Sequence, residues 1–198
     1  MVKIVRDFFI KGNDKSVFQT LLKHLPDYLR EIPGDEYNII EEISNEEEER
    51  IYRKAQLKRL STLKMLPEIV KDNLPKTFMD ITTKLVEEII FDVKNTKMQF
   101  HIECEDAQIY SITGTTQFIP MSNDLTKATT VIHLTIHNLE KYINKNLYNI
   151  IFPILEKKIP ELFIDYQKIM YNDVWAKYKL LSKTSNNGVT NNSNKSYF

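Results

Sequence analysis

The chain has 198 residues, with 27 basic side chains against 27 acidic ones and 42% hydrophobic content. That is enough for one good-sized domain with its own core, and the balanced charge gives no overall field to draw the chain onto nucleic acid or an anionic membrane. A single cysteine, Cys104, excludes an internal disulfide, and no run approaches the roughly 18 apolar residues of a membrane-spanning helix. The opening Met1-Val2-Lys3-Ile4-Val5-Arg6-Asp7-Phe8-Phe9 has charges threaded through it and no uninterrupted apolar core of a signal peptide. The expected location is therefore cytoplasmic, and any membrane contact would be peripheral.

Val2 to Ile10 is rich in β-branched and aromatic residues and stops at Lys11-Gly12-Asn13-Asp14, which predicts a first strand. Asn13 or Asp14 can cap a following helix through Val17, Phe18, Leu21 and Leu22, and a second short helix is expected from Pro26 to Arg30, before the turn at Pro33-Gly34-Asp35. From Glu36 the period changes to two. Tyr37, Ile39 and Glu41 alternate with Asn38, Ile40 and Glu42, and a second run from Glu48 passes through Ile51, Tyr52, Ala55, Leu57 and Leu60. These read as strands two and three joined near Asn45, with the acidic Glu46 to Glu49 as a solvated hairpin end. Strong helix formers over residues 46–66 leave a helix there as the competing expectation.

Residues 61–83 interrupt the strands with Leu66, Ile69, Leu74 and Phe78, punctuated by Pro67 and Pro75, and predict one or two short helices or a structured loop. Strand four follows over 85–93. Lys97 to Glu103 sets Met98, Phe100 and Ile102 against Gln99, His101 and Glu103. Gln108 to Pro120 sets Tyr110, Ile112, Gly114, Thr116 and Phe118 against their neighbours, and Ala128 to His137 makes a seventh strand. Residues 138–180 read as one long amphipathic helix. Leu139, Ile143, Leu147, Ile150, Ile154, Leu162, Tyr166 and Met170 recur at helical spacing, and at roughly 60 Å the helix should bend at Pro153 and Pro160. The domain therefore spans 1–181. The Asn- and Ser-rich residues 182–198 cannot bury enough apolar surface to offset their ordering entropy and read as a disordered tail.

The order of one strand, two short helices, six strands and a long terminal helix resembles the START-like (helix-grip, SRPBCC) superfamily. Tyr110-Ser111-Ile112-Thr113-Gly114-Thr115-Thr116-Gln117-Phe118-Ile119-Pro120, followed by Lys127-Ala128-Thr129-Thr130-Val131-Ile132, resembles that superfamily's penultimate hairpin, and Leu139-Glu140-Lys141-Tyr142-Ile143 is similar to the start of its terminal helix. No glycine-rich loop joins strands two and three, and the 61–83 insertion is present; both departures favour the lipid-transfer branches over the plant-allergen branch. The resemblance implies an α+β domain, a curved seven-stranded antiparallel sheet wrapped around the long C-terminal helix, with an apolar cavity between them. The wall is then expected from Phe91, Phe100, Ile102, Ile112, Phe118, Ile132 and Leu134 of the sheet and Ile150 and Ile154 of the helix. Leu66, Ile69, Leu74 and Phe78 of the insertion become a candidate gate at the cavity mouth.

Other chemistry is thinly represented. His133 and His137 would stand about 13 Å apart on a strand, too far to share an ion, and His101 and Cys104 add no ligand spacing, so no metal is expected. No phosphate loop, Gly-x-Ser-x-Gly or Cys-x-x-Cys occurs. Asp7, Glu88 and Asp92 alternate with apolar neighbours and are the candidates for a buried carboxylate, with a water-facing position the simpler expectation. Lys3, Arg6, Lys54, Lys58 and Arg59 could form a basic mouth for a lipid headgroup and fit solvated strand faces equally well. The expected function is non-catalytic binding, extending to transfer, of a lipid or sterol in an internal cavity, without a cofactor. Two rivals stay open: a cavity enzyme of the cyclase or hydratase kind, and a protein-interaction module with a filled core. Cavity volume separates the last from the others, and a buried ionisable residue separates the enzyme from the carrier.

Overall fold

The computed structural model describes residues 2–59, 66–105 and 109–185. Seven strands, β1 (Val2–Ile10), β2 (Glu36–Asn45), β3 (Arg50–Lys58), β4 (Lys84–Asp92), β5 (Lys97–Cys104), β6 (Tyr110–Ser122) and β7 (Leu125–Ile136), form one antiparallel sheet in the order β1-β7-β6-β5-β4-β3-β2. Helix α1 (Asp14–Glu31) carries the chain from one edge of the sheet to the other, α2 (Glu68–Asn73) and α3 (Lys76–Thr83) lie between β3 and β4, and α4 (Lys145–Ser185) ends the described chain. The element order read from the sequence holds. The competing helix does not form over residues 46–58, because Arg50–Lys58 is paired on both sides, with β2 and β4.

Two helices differ from expectation. Instead of two short pieces, α1 is a single 18-residue helix running through Pro26. A proline there leaves the carbonyl four residues earlier without its helical donor, and that carbonyl, Leu22 O, accepts from Arg53 Nη2 at 3.1 Å. A side chain from β3 thus repairs the helix that Pro26 would otherwise break. The terminal helix begins later than expected. Asn138 has a left-handed backbone (φ 54°) ahead of a single 3₁₀ turn, Leu139–Lys141. Asn144 then caps α4, its side chain accepting from the backbone N–H groups of Asn146 (3.1 Å) and Leu147 (3.0 Å). From there α4 continues as helix through Pro153 and Pro160 to Ser185, past the expected boundary at 181; residues 186–198 of the expected tail lie outside the described residues.

Alternation along the strands turns Leu85, Glu87, Ile89 and Phe91 of β4 toward the helices and leaves Glu88 and Ile90 outside. On the inner face Phe18 of α1 meets the rings of Phe91 and Phe118 edge-on, with centroids 6.1 and 5.6 Å away. Tyr171 of α4 contacts the rings of Phe8 and Phe118. Burying a phenylalanine such as Phe18 contributes about 1.5–3 kcal/mol, so these rings hold both long helices on the same face. At the end of β1, the Trp175 ring fills the space above Gly12 and its indole N–H donates to the carbonyl of Lys11, which ties the far part of α4 to the β1–α1 turn.

Candidate functional site

Between α4, the α2–α3 insertion and the ends of β6 and β7 lies an apolar cavity of about 40 Å³. Leu66 and Phe78 come from the insertion, Ile109 and Tyr110 from the start of β6, and Leu155 and Leu162 from α4. The roof is light. The N-caps of α2 and α3 are Pro67 and Pro75, which offer no side-chain cap, and the insertion is seated by buried Leu66, Val70, Leu74 and Phe78, with Phe78 edge-on to Tyr142 (5.7 Å). Of the four expected gate residues, Leu66 and Phe78 line the cavity, Leu74 is buried without lining it, and Ile69 is 54% exposed.

The expected wall is placed differently. Phe91, Phe100, Ile102, Ile112, Phe118, Ile132 and Leu134 are all buried in the core, but none lines the apolar cavity; Phe91 and Phe118 pack on α1, and Phe100 and Phe118 on α4. Ile154 is half-buried against the core, and Ile150 is 54% exposed on the outer side of α4. Ile150 is therefore no part of a cavity wall. On α4 it is Ile151 and Leu155 that face inward instead, 1% and 2% exposed.

About two helical turns further along α4, a smaller void of about 10 Å³ is bordered by Phe100, Phe163, Arg59, Glu87, Tyr166 and Gln167. Glu87 and Arg59 are almost fully buried, as are Arg53 and Tyr37 beside them. Burial pushes the Glu87 carboxyl up, against the opposing pull of Arg59 and Arg53. The Arg59 guanidinium lies over the Tyr166 ring, 4.6 Å from its centroid, and Arg53 lies over Phe91 at 5.1 Å while its Nε donates to Glu42 at 2.7 Å. Burial also pushes the Tyr37 and Tyr166 hydroxyls up, so both stay protonated. Five buried polar atoms here make no well-formed hydrogen bond among the described residues: Glu87 Oε2, Tyr166 Oη, Gln167 Oε1, Tyr37 Oη and Arg53 Nη1, although the Tyr37 hydroxyl lies close enough to Glu87 to pull its carboxyl down.

Of the candidate carboxylates Asp7, Glu88 and Asp92, only Asp92 is buried, and each has a partner. Glu88 faces outward and pairs with Lys54 at 2.7 Å, which holds its carboxyl low. Asp92 is buried but holds the Asn95 side chain at 3.0 Å, which lowers it likewise. Asp7 faces Lys127 at 3.7 Å. The overlooked Glu87 shares the period-two phase of Leu85, Ile89 and Phe91, and that phase was the available signal. Arg59, read as part of a basic mouth, is buried against Tyr166, while Lys3 and Arg6 stay exposed on β1. Cys104 is fully buried, and burial pushes its thiol up to about 11, far from a thiolate nucleophile at neutral pH. His101 and His133 stand on either side of Thr113 in the sheet, and no group of three or more metal-ligating side chains assembles among the described residues. No described helix is long and apolar enough to cross a membrane.

No family model and no curated protein matches the sequence. Among solved structures the chain is similar to the Zhui aromatase/cyclase from Streptomyces sp. R1128, with a TM-score of 0.60 over 87% of this chain and 93% of that one at 10% identity. It is also similar to Ara h 8.0201, with a TM-score of 0.51 over 89% and 99% of the two chains at 9% identity. The fold is the helix-grip fold. At these identities the shared property is the fold, and both voids lie in the layer between the sheet and the gripped helix. The helix-grip layer in this chain has an apolar end under the α2–α3 insertion and a polar end around Glu87.

Proposed function

We propose that the protein binds a hydrophobic small molecule, a lipid or sterol, between α4 and the sheet, and holds or carries it without covalent chemistry. What supports this reading is that the layer is left incomplete. An apolar cavity sits under a roof held by side-chain packing, and the polar atoms next to it lack partners. A core filled for structural purposes satisfies its buried polar groups, because each one left bare costs about 1–3 kcal/mol. That weighs against the filled-core interaction module, although the small volume taken alone would fit it. Ligand pockets run to about 300–1,000 Å³, so binding requires the α2–α3 roof to lift from α4. Leu66, Leu74 and Phe78 then act as the movable wall.

A second reading is favoured by Glu87. A buried carboxyl raised by its surroundings, close to two guanidinium groups, is a group suited to proton transfer on a bound ligand. Native mass spectrometry of the protein purified from its expression host tests binding directly. A retained apolar mass, lost when Leu155→Phe fills the cavity, is the expected result. Absence of any retained mass, together with no rise in thermal midpoint on adding neutral apolar compounds, would overturn the binding reading. Turnover of the retained compound that disappears in Glu87→Gln would move the conclusion to the enzyme.

A further inference from the structure

The two voids are neighbours along one helix. Leu155, Ile159 and Leu162 line the apolar one, and Phe163, Tyr166, Gln167, Met170 and Tyr171 line the polar one, so their centres are about two turns apart, roughly 13 Å along α4. An elongated molecule that enters under the α2–α3 roof and follows the helix inward reaches the polar end with its tip. What that tip must be can be read from the atoms left bare.

Glu87 Oε2 and Gln167 Oε1 are unfilled acceptors at the void, and Tyr166 Oη is a hydroxyl with neither its proton nor its lone pairs engaged among the described residues. Glu87 is 7% and Gln167 3% exposed, so bulk water does not reach them freely. The other amide atom of Gln167 is spent, its Nε2 donating to Tyr171 Oη at 3.2 Å, which fixes Oε1 as the atom presented. Two acceptors beside one hydroxyl call for a group that donates and accepts at once. A carboxylate can take the Tyr166 hydroxyl but only accepts, and so leaves Gln167 Oε1 without a donor. An ether or a hydrocarbon leaves both acceptors bare. A hydroxyl donates to Glu87 or Gln167 and accepts from Tyr166.

We infer that the polar end of the layer is a hydroxyl-binding subsite, and that the molecule this protein takes is a hydrophobic alcohol in preference to a fatty acid or an unoxygenated hydrocarbon. The inference rests on the binding reading above and narrows its ligand class. Arg53 Nη1, also without a partner among the described residues, and the Tyr37 hydroxyl beside Glu87 add donors against which a further oxygen on the ligand can seat. A void of about 10 Å³ is close to one water in size, so water is the competitor that the alcohol must displace.

The test is displacement of the neutral fluorophore N-phenyl-1-naphthylamine at pH 7 by three ligands of equal chain length: 1-dodecanol, its methyl ether and dodecanoate. The alcohol is expected to displace the dye at concentrations at least tenfold below the other two. Tyr166→Phe and Glu87→Gln, each removing or altering one bare group at constant size, should both reduce that advantage to less than threefold, each ratio being taken against that variant's own dye affinity. Equal displacement by all three ligands overturns the hydroxyl subsite and leaves the proposed binding function standing. A preference for the alcohol that survives both substitutions overturns the assignment to these residues. Failure of the dye and all three ligands to bind removes the binding function itself.

Discussion

The Phe100 ring lies across Gly114, its cross-strand partner, so closely that a Cβ on the glycine would come within 2.5 Å of Phe100 Cζ and closer still to the carbonyl oxygen of Val131. Phe100 in turn packs on Phe163 of α4 (5.4 Å between centroids) and borders the polar void. The missing side chain at 114 is what lets the ring lie down and the helix approach. Gly114→Ala is expected to destabilise the fold by about 1–3 kcal/mol through overpacking, measured as a lower denaturation midpoint. An unchanged midpoint would show that Phe100 can rotate away freely and that the sheet does not depend on this contact.

The two ways of adding bulk to the interior should separate sharply. Leu134 is 1% exposed and lines neither void, so Leu134→Trp should cost about 1–3 kcal/mol. Leu155 faces the 40 Å³ cavity, so Leu155→Phe should cost less than about 1 kcal/mol and lower the uptake of apolar ligands. Urea titrations of both variants make the comparison. Equal costs would mean that the cavity is closed in solution.

Glu87 carries a pH prediction. Its folded-state carboxyl is raised above its ordinary value of 4.5, mainly by burial. The folded state therefore binds this proton more tightly than the unfolded chain does. Its contribution to stability is fully present below the ordinary value and is lost as pH rises through the raised one. Glu31, Glu88, Asp92 and Glu161, held low by hydrogen-bonding partners, have the opposite slope, so the measurement must be a difference. Relative to Glu87→Gln, the native protein should lose stability as pH is raised from 4 upward. A difference that stays flat with pH would place the carboxyl in contact with water.

The roof should open before the sheet does. Backbone amides in α2 and α3 are expected to exchange with solvent deuterium faster than those of Lys97–Cys104, which are bonded into a strand with partners on both sides. Addition of a binding alcohol should slow α2 and α3 selectively. Equal protection of the two segments, unaltered by ligand, would make the insertion a fixed part of the core.

The sequence by itself determined the seven strands, their antiparallel neighbours and the long terminal helix. Period-two and helical patterns report which side of an element is apolar, and a chain this size has few ways to bury those sides together. It also carried the inward phase of Leu85, Ile89 and Phe91, and with it the position of Glu87, since alternation is a local property. Only the tertiary structure decided what an inward residue meets. Pro26 reads locally as a helix breaker and is tolerated because Arg53, on a strand distant in sequence, takes the Leu22 carbonyl. Ile150 and Ile151 are both isoleucines on an apolar helix, about 100° apart around its axis, and the packing of α4 on the domain turns one out and the other in. Phe91 and Phe118 are expected on a cavity wall by the resemblance to helix-grip proteins, yet the Phe18 ring of α1 lies edge-on against both. Arg59 looked like surface charge and is buried over Tyr166. Voids and unpartnered atoms arise where elements from different parts of the chain fail to close against each other, and hydrophobic periodicity, which describes one element at a time, carries no record of that.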